Sequence, residues 1–372
     1  MNSTMSAPGP HNSTARIAYI CIVILAFIGN SMVLALFVRK KHLLRKTYNV
    51  FFLTLATTDF TISINILFTP TFIFRESFPY PDGYLGGEIV CRLLWSRWLL
   101  YTLGVSSVFL CLLLTIERWF AVVQPLRYQA SFSKRRVVVS LISVYCVACF
   151  LCCTLPFEVS FSPENIPSQR CSWNNVWGSA AGIVAIFQFL GRIFIPSVFM
   201  LAMFLHMTFR NNFTETTRRE SRLTFSSSPS TRKTVTRMVG AASALMIICW
   251  MPKQVLMIVS EFQVIGKDSS VSHFLTFLAF FNSVVNPAIY GITNKTFRKG
   301  YYDVLLSFCP PVLKRKLARP QVGVEDDYRN IASLVRAIHR RRPSFDWRRG
   351  TSSAKELRTP DFLDAIQQEQ KL

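Results

Sequence analysis

Seven long apolar segments restrict this chain to a bundle of helices embedded in a membrane. They cover residues 17–38, 48–74, 89–122, 137–157, 179–209, 235–262 and 271–293. Each reaches the length of about 20 residues that a helix needs to cross the hydrocarbon core of a bilayer. Only 17% of the residues are charged, against about 25% in soluble domains. The sequence therefore predicts an all-α membrane protein with a seven-transmembrane helix bundle, and it excludes a soluble enzyme.

Basic residues predict the orientation of this bundle. The net charge is +22, and 34 of the 42 Lys and Arg residues lie on one side if the segments alternate in direction. The positive-inside rule makes that side cytoplasmic, with the N-terminus outside. The charge also favours contact with anionic lipid of the inner leaflet, so it does not indicate nucleic-acid binding. We expect a multi-pass protein of the plasma membrane.

The chain divides into four predicted regions. Residues 1–16 form an extracellular tail, 17–293 the bundle, 294–309 a short amphipathic eighth helix, and 310–372 a disordered basic cytoplasmic tail. Asn2 and Asn12 begin glycosylation sequons, and Cys309 is placed for S-acylation.

The cysteines predict a single disulfide. Seven of the ten lie inside apolar segments, where cysteine behaves as a small hydrophobic residue. Cys91, at the outer start of the third segment, and Cys171, in the second outer loop, face the oxidising side. We expect these two to be bonded.

Ionisable residues inside apolar segments are candidates for function, because burying one there costs about 2.5–3.5 kcal/mol. Asp59 lies in the middle of the second segment, and Ser107, Asn282 and Asn286 lie at comparable depths in others. One carboxylate among such oxygen-bearing groups suits a small cation such as Na⁺. The alternative is a polar cluster that only specifies packing. We expect no other metal or cofactor.

Other motifs suggest a conformational switch. Glu117 and Arg118 end the third segment, and Pro125 and Leu126 follow in the second inner loop. The carboxylate can hold the guanidinium until a helix moves, although an ordinary boundary ion pair would look the same. Pro252 and Pro287 predict kinks in two helices. Trp250 lies next to the first kink, and Tyr290 follows the second. The predicted switch residues are therefore Glu117, Arg118, Pro125, Leu126, Trp250, Pro252, Pro287 and Tyr290.

The ordered set of motifs resembles the rhodopsin-like (class A) family of G-protein-coupled receptors over residues 17–309. The set is Gly29-Asn30, Leu55-Ala56-x-x-Asp59, Cys91, Glu117-Arg118-Trp119, Cys171, Pro196, Cys249-Trp250-x-Pro252 and Asn286-Pro287-x-x-Tyr290. The resemblance implies an extracellular ligand, an outward swing of the sixth helix, and partners that include a heterotrimeric G protein, arrestin and receptor kinases. By position, the Asp59 group matches the family's sodium pocket, Arg118 its G-protein contact, and Trp250 its toggle switch.

Several features depart from the family pattern. Glu117 and Trp119 stand where the family has Asp and Tyr, and Phe204 stands where it often has Tyr. The spacing from Cys91 to Arg118 is longer than usual, which predicts a displaced outer end of the third helix.

Counting from the same motifs gives candidate ligand-binding residues. They are Arg97, Leu100, Tyr101, Gln188, Arg192, Trp250, Lys253 and Gln254. Leu100 stands where amine receptors have an aspartate, which disfavours a cationic amine. The three cations favour an anionic group on the ligand, unless Glu158 and Glu261 neutralise them.

A neuropeptide-like receptor for a short peptide is the first expectation for function. The alternative is a receptor for a small molecule, either melatonin-like or an anionic lipid or metabolite. A transporter is disfavoured because no internal repeat is visible. A membrane enzyme is disfavoured because the five histidines are scattered without metal-binding spacing.

Overall fold

A computed structural model describes residues 10–74, 78–81, 83–164, 170–174, 176–217, 229–262 and 270–308, with only the backbone for 10–13, 211–217, 229–232 and 308. The α-helices are α1 (Pro10–Arg39), α2 (Thr47–Phe68), α3 (Tyr84–Ile89), α4 (Trp98–Val123), α5 (Pro125–Ser131), α6 (Lys134–Cys152), α7 (Ala181–Phe189), α8 (Ile195–Thr217), α9 (Pro229–Glu261), α10 (Ser270–Thr293) and α11 (Lys295–Phe308). Segments Lys41–Arg45 and Gly178–Ala180 are 3₁₀-helical, and Val90–Trp95 and Leu190–Phe194 are π-helical. Two short strands, β1 (Val159–Phe161) and β2 (Cys171–Trp173), complete the fold.

Within these ranges, seven helical stretches are long and apolar enough to cross a membrane. In chain order, the first to seventh spans are Thr14–Arg39, Thr47–Phe68, Tyr84–Val123, Lys134–Cys152, Gly178–Arg210, Lys233–Glu261 and Ser270–Thr293. They correspond to the seven apolar segments, so the predicted seven-helix bundle is confirmed. The first helix begins at Pro10 and extends into the region assigned to the outer tail, since proline is tolerated in the first turn of a helix.

The third span is the central helix of the bundle. In its most apolar window 67% of the residues are buried, against 22% in the fourth span, whose outward face exposes Val138, Ile142 and Phe150. Such apolar side chains on the outside are stable only against lipid, whereas the polar residues of the bundle face inward. The third span therefore contacts more of the buried interior of the bundle than the fourth span does.

The outer part of the third span is interrupted. α3 passes into the π-helical segment Val90–Trp95, and Arg97 then adopts a left-handed conformation with φ of 63° before α4 begins. A π-helical turn accommodates an additional residue within a helix, and a left-handed residue changes the direction of the chain. This interruption accounts for the long spacing between Cys91 and Arg118.

The second outer loop forms a hairpin attached to the third span. β1 and β2 are antiparallel, with Val159 opposite Trp173 and Phe161 opposite Cys171. The predicted disulfide joins Cys91 to Cys171, and this pair packs with Val159 and Phe161 in a small apolar cluster. The hairpin was not expected from the sequence, which indicated only a polar loop.

The amphipathic helix predicted at 294–309 is α11, Lys295–Phe308. Its Asp303 carboxylate accepts a hydrogen bond of 2.6 Å from Lys40, and Phe297 packs against Phe37 and Tyr290. Asn2, Cys309 and the tail at 310–372 lie outside the described residues, as does the side chain of Asn12.

Candidate functional site

A cavity of about 450 Å³ lies next to the hairpin, between the third, fifth, sixth and seventh spans. Six of the eight predicted ligand-binding residues line it, namely Arg97, Tyr101, Gln188, Arg192, Lys253 and Gln254. Leu100 and Trp250 do not; both are buried in the apolar core. Direct contact of these two residues with a ligand therefore stays a prediction.

Arg192 is the most deeply buried cation of the cavity wall, with 1% of its surface exposed. It lies in the π-helical segment Leu190–Phe194, before Pro196. Its Nε and Nη2 atoms both donate to the carbonyl oxygen of Leu151, at 3.1 and 2.8 Å. Its Nη1 atom has no hydrogen-bond partner among the described residues.

Two residues of the sixth span, which follow the kink proline Pro252, line the same cavity as Arg192. Lys253 is buried and donates to the Ser272 hydroxyl at 2.8 Å. Gln254 is 2% exposed, and within the described part of the chain its Nε2 atom has no partner. The proline kink thus presents two successive polar side chains to the interior.

The remaining polar residues of the wall are held by neighbours. Gln188 donates to Thr154 Oγ1 at 2.7 Å, and Arg97 donates to Thr71 Oγ1 at 3.0 Å. Glu158 accepts a hydrogen bond of 3.0 Å from Trp177 Nε1.

Neither glutamate of the wall neutralises Arg192. Among the described residues, the ion pairs are Lys40–Asp303, Arg92–Glu88 and Arg118–Glu117. The predicted alternative, in which Glu158 or Glu261 compensates the cations, therefore does not hold for Arg192.

Asp59 is the centre of a second polar group, in the middle of the bundle. Its side chain is fully buried and accepts hydrogen bonds from Ser107 at 3.4 Å, Ser283 at 2.9 Å and Asn286 at 2.8 Å. Asn282, which the sequence placed here, does not bond to Asp59. Ser283 was missed, although a polar residue next to Asn282 was a usable signal.

Three buried amide oxygens of the first and seventh spans lack partners among the described residues. In the described ranges, Asn30, Asn282 and Asn286 each have a buried Oδ1 atom with no donor. Oxygen acceptors around a carboxylate are the ligands that hard cations prefer. The donor set therefore fits a small cation such as Na⁺.

Trp250 lies where the cavity meets the core. Its ring packs edge-on against Tyr101 and Phe280. Gly104 provides the space for this ring, because a Cβ atom there would lie 2.0 Å from it. Gly104 was not predicted from the sequence, although a glycine inside an apolar helix often marks such a close approach.

Glu117 and Arg118 form the predicted ion pair at the inner end of the third span. Both are buried, and the guanidinium lies over the Tyr48 ring, 4.5 Å from its centre. The Tyr128 hydroxyl, on α5, donates to Glu117. Burial, together with the negative charge of Glu117, raises the pKa of Tyr128, so this hydroxyl remains a donor at neutral pH.

The second inner loop presents an apolar side chain to solvent. Pro125 begins α5 and Leu126 follows it, with 94% of its surface exposed. Proline suits the first position of a helix, where its missing N–H is not needed. This leucine of the predicted switch residues is thus exposed.

The departures from the family pattern have structural counterparts. Trp119 donates to His206 at 3.2 Å, and the Phe204 ring fills the space over Gly240, where a Cβ atom would lie 2.3 Å from it. The Tyr290 hydroxyl is buried without a partner among the residues described. Tyr290 therefore has a hydrogen-bonding capacity that this conformation does not use.

Comparisons with known proteins add the family context. Residues 29–290 match the family described as 7 transmembrane receptor (rhodopsin family). A QRFP-like peptide receptor of Branchiostoma floridae is 22% identical, over 80% of this chain and 79% of that protein. Somatostatin receptor type 4 of Rattus norvegicus is 25% identical, over 80% and 73%, and octopamine receptor beta-1R of Drosophila melanogaster is 24% identical, over 78% and 61%. These relatives have similar sequence identity to the chain but names that point to different ligands. Overall identity therefore does not indicate the class of ligand, which must be inferred from the residues of the cavity.

Proposed function

Because the chain belongs to the rhodopsin family of seven-transmembrane receptors, and is thus a receptor rather than an enzyme, we propose that it binds an extracellular peptide and activates a heterotrimeric G protein. One observation carries this proposal: a single bundle has a polar cavity next to its outer hairpin and a buried Glu117–Arg118 ion pair at its inner end. The proposal includes a location in the plasma membrane with the N-terminus outside, which the distribution of basic residues supports.

The cavity wall favours a peptide over an amine. Leu100, at the position where amine receptors have an aspartate, is apolar and does not line the cavity. Aromatic rings of Tyr101, Trp173 and Trp177 alternate there with hydrogen-bonding side chains, and peptides offer both kinds of group. Two of the relatives are named as receptors for peptides. The alternative, a small-molecule ligand, is tested in the same experiment as the peptide.

The inner face supports coupling to a G protein. In this conformation Glu117 holds Arg118, and an outward movement of the sixth span would open space in which the guanidinium could contact a partner. Leu126, on α5, is already exposed and could enter an apolar pocket of the same partner. We therefore assign the signalling contact to Arg118 and Leu126.

The test is nucleotide exchange on purified G proteins by the receptor in lipid nanodiscs, screened with short peptides and with metabolites and lipids. We expect peptide-stimulated exchange, and its loss in Arg118→Ala with peptide binding retained. Arg136→Ala, which removes an exposed arginine at the same inner end, is the control and should leave exchange unchanged. Stimulation by metabolites alone would contradict the peptide assignment, and full exchange by Arg118→Ala would contradict the coupling role.

We also propose that Na⁺ binds beside Asp59 as an allosteric ion. Asp59 and Ser107 would hold it, with the free amide oxygens of Asn282 and Asn286 as further acceptors. When bound, the cation supplies a positive charge that compensates the buried carboxylate.

Further proposed interactions concern the ends of the chain. Glycosylation at Asn2 and Asn12, acylation at Cys309, and action of receptor kinases and arrestin on the cytoplasmic tail follow from the sequence motifs. Inner-leaflet lipids would contact α11 and the basic loops, because anionic lipid attracts clustered Lys and Arg.

A further inference from the structure

One side of the cavity consists of hydrogen-bond donors. Arg192 Nη1 and Gln254 Nε2 are buried, and neither has a partner among the described residues. Lys253 Nζ donates to Ser272, and an ammonium has no acceptor capacity. A group that satisfies Arg192 Nη1 and Gln254 Nε2 must therefore accept hydrogen bonds rather than donate them.

The charge of Arg192 specifies this acceptor further. Its guanidinium is 1% exposed, and its two satisfied nitrogens contact only the neutral carbonyl of Leu151. Within the described ranges it forms no ion pair. A buried charge without a counterion is costly, and a water molecule would satisfy the hydrogen bond without compensating the charge. The acceptor that fits is anionic.

The two glutamates of the cavity wall, Glu158 and Glu261, would repel an anionic group only if they were close to it. Glu261 lies two helical turns beyond Lys253 on the sixth span, about 12 Å along the helix axis at 1.5 Å per residue. Glu158 is engaged by Trp177. Repulsion from these carboxylates is therefore expected at the outer part of the cavity rather than beside Arg192.

We propose that the receptor recognises a carboxylate of its ligand, bound between Arg192 of the fifth span and Lys253 and Gln254 of the sixth. Charged groups matched in this way form stronger hydrogen bonds than neutral pairs. The aromatic residues Tyr101 and Trp173 would contact the apolar part of the ligand. This inference rests on the proposed receptor function but concerns binding alone.

The test uses three small probes that differ in their acid group. N-acetyl-phenylalanine carries a terminal carboxylate, N-acetyl-phenylalaninamide carries none, and N-acetyl-aspartyl-phenylalaninamide carries one on a side chain. The measurement is the thermal unfolding midpoint of the purified, full-length receptor with each probe at millimolar concentration. We expect at least one acid to raise the midpoint by about 3 °C and the plain amide to have no effect. The acid that acts identifies a terminal or a side-chain carboxylate as the source.

Variants identify the residues responsible. Arg192→Gln and Lys253→Gln should each weaken the active acid about tenfold. Lys253→Gln retains a donor for Ser272, so it remains informative if Arg192→Gln fails to fold. Arg92→Gln, which removes a cation of the outer end that does not line the cavity, should leave acid binding unchanged.

Two results would overturn the inference. One is a midpoint that no acid raises more than the amide does, and the other is an acid effect that survives both glutamine substitutions. The assay contains no G protein. An acid-selective shift without nucleotide exchange would therefore reject the signalling proposal while supporting the carboxylate site.

Discussion

Single residues in the middle of the bundle carry charge where no solvent reaches them. Asp59 is stabilised by three donors, of which Ser283 belongs to the seventh span and Ser107 to the third. The three spans are thereby joined through one carboxylate. The unpartnered amide atoms of Asn30, Asn282 and Asn286 are all oxygens. A cation could contact such oxygens while Asp59 keeps the hydrogen bonds that it already accepts.

Asp59→Asn should abolish the effect of sodium on receptor stability. Asparagine has a similar shape but no net charge, so it cannot compensate a bound cation. We expect NaCl to raise the unfolding midpoint of the wild type relative to choline chloride at equal ionic strength, and to have no such effect on the variant. Asp303→Asn, on α11, is the control. A sodium effect of equal size in Asp59→Asn would rule out this carboxylate as the cation site.

At the scale of elements, the outer end of the bundle is assembled from irregular pieces. The π-helical segment Val90–Trp95, the left-handed Arg97 and the hairpin of β1 and β2 meet around Cys91. The disulfide connects two of these pieces across a sequence separation of 80 residues. Its role is to keep the hairpin against the cavity.

Removing the disulfide should loosen the hairpin and lower stability. The chain-entropy estimate for a loop of this length is about 4–5 kcal/mol, and the spans anchored between the cysteines reduce this loss. We expect the double variant Cys91→Ser/Cys171→Ser to unfold at a lower temperature and to bind ligand more weakly. Cys21→Ser, at an exposed position of the first span, should behave as wild type. Equal midpoints for the double variant and wild type would refute this role.

At the scale of the whole molecule, the cavity and the Glu117–Arg118 pair lie in different parts of one bundle. Tyr101 contacts Trp250, which packs against Phe280 and over Gly104. A ligand that moves Trp250 would thus act on the sixth span at its proline kink. In the proposed function, the inner ion pair would keep Arg118 from a partner until this movement occurs.

Glu117→Gln should shift the receptor towards its active arrangement. The substitution leaves Arg118 buried without its counterion, and breaking a buried pair costs about 3–5 kcal/mol. We expect several-fold higher nucleotide exchange in the absence of ligand and a lower unfolding midpoint. Glu88→Gln, in an ion pair at the outer end of the third span, is the matched control. Unchanged basal exchange in Glu117→Gln would show that the pair does not restrain activation.

The sequence by itself determined the number of spans, the disulfide and the presence of a buried acidic site. Segment length and apolarity are local properties, and the membrane imposes the helical structure on them. The positions of Cys91 and Cys171 on the predicted outer side limited their pairing in the same way. Family motifs then located Asp59, Arg118 and Trp250 along the helices.

Only the tertiary structure decided which side chains meet. Ser283 bonds to Asp59 across 224 residues of sequence, and Gly104 accommodates Trp250 of another span. The lack of an ion pair between Arg192 and any described residue could not be read from the sequence either. Such contacts depend on the rotation of each helix about its axis and on interruptions such as that at Arg97. Apolar patterning constrains helix rotation only weakly, because lipid and core are both apolar.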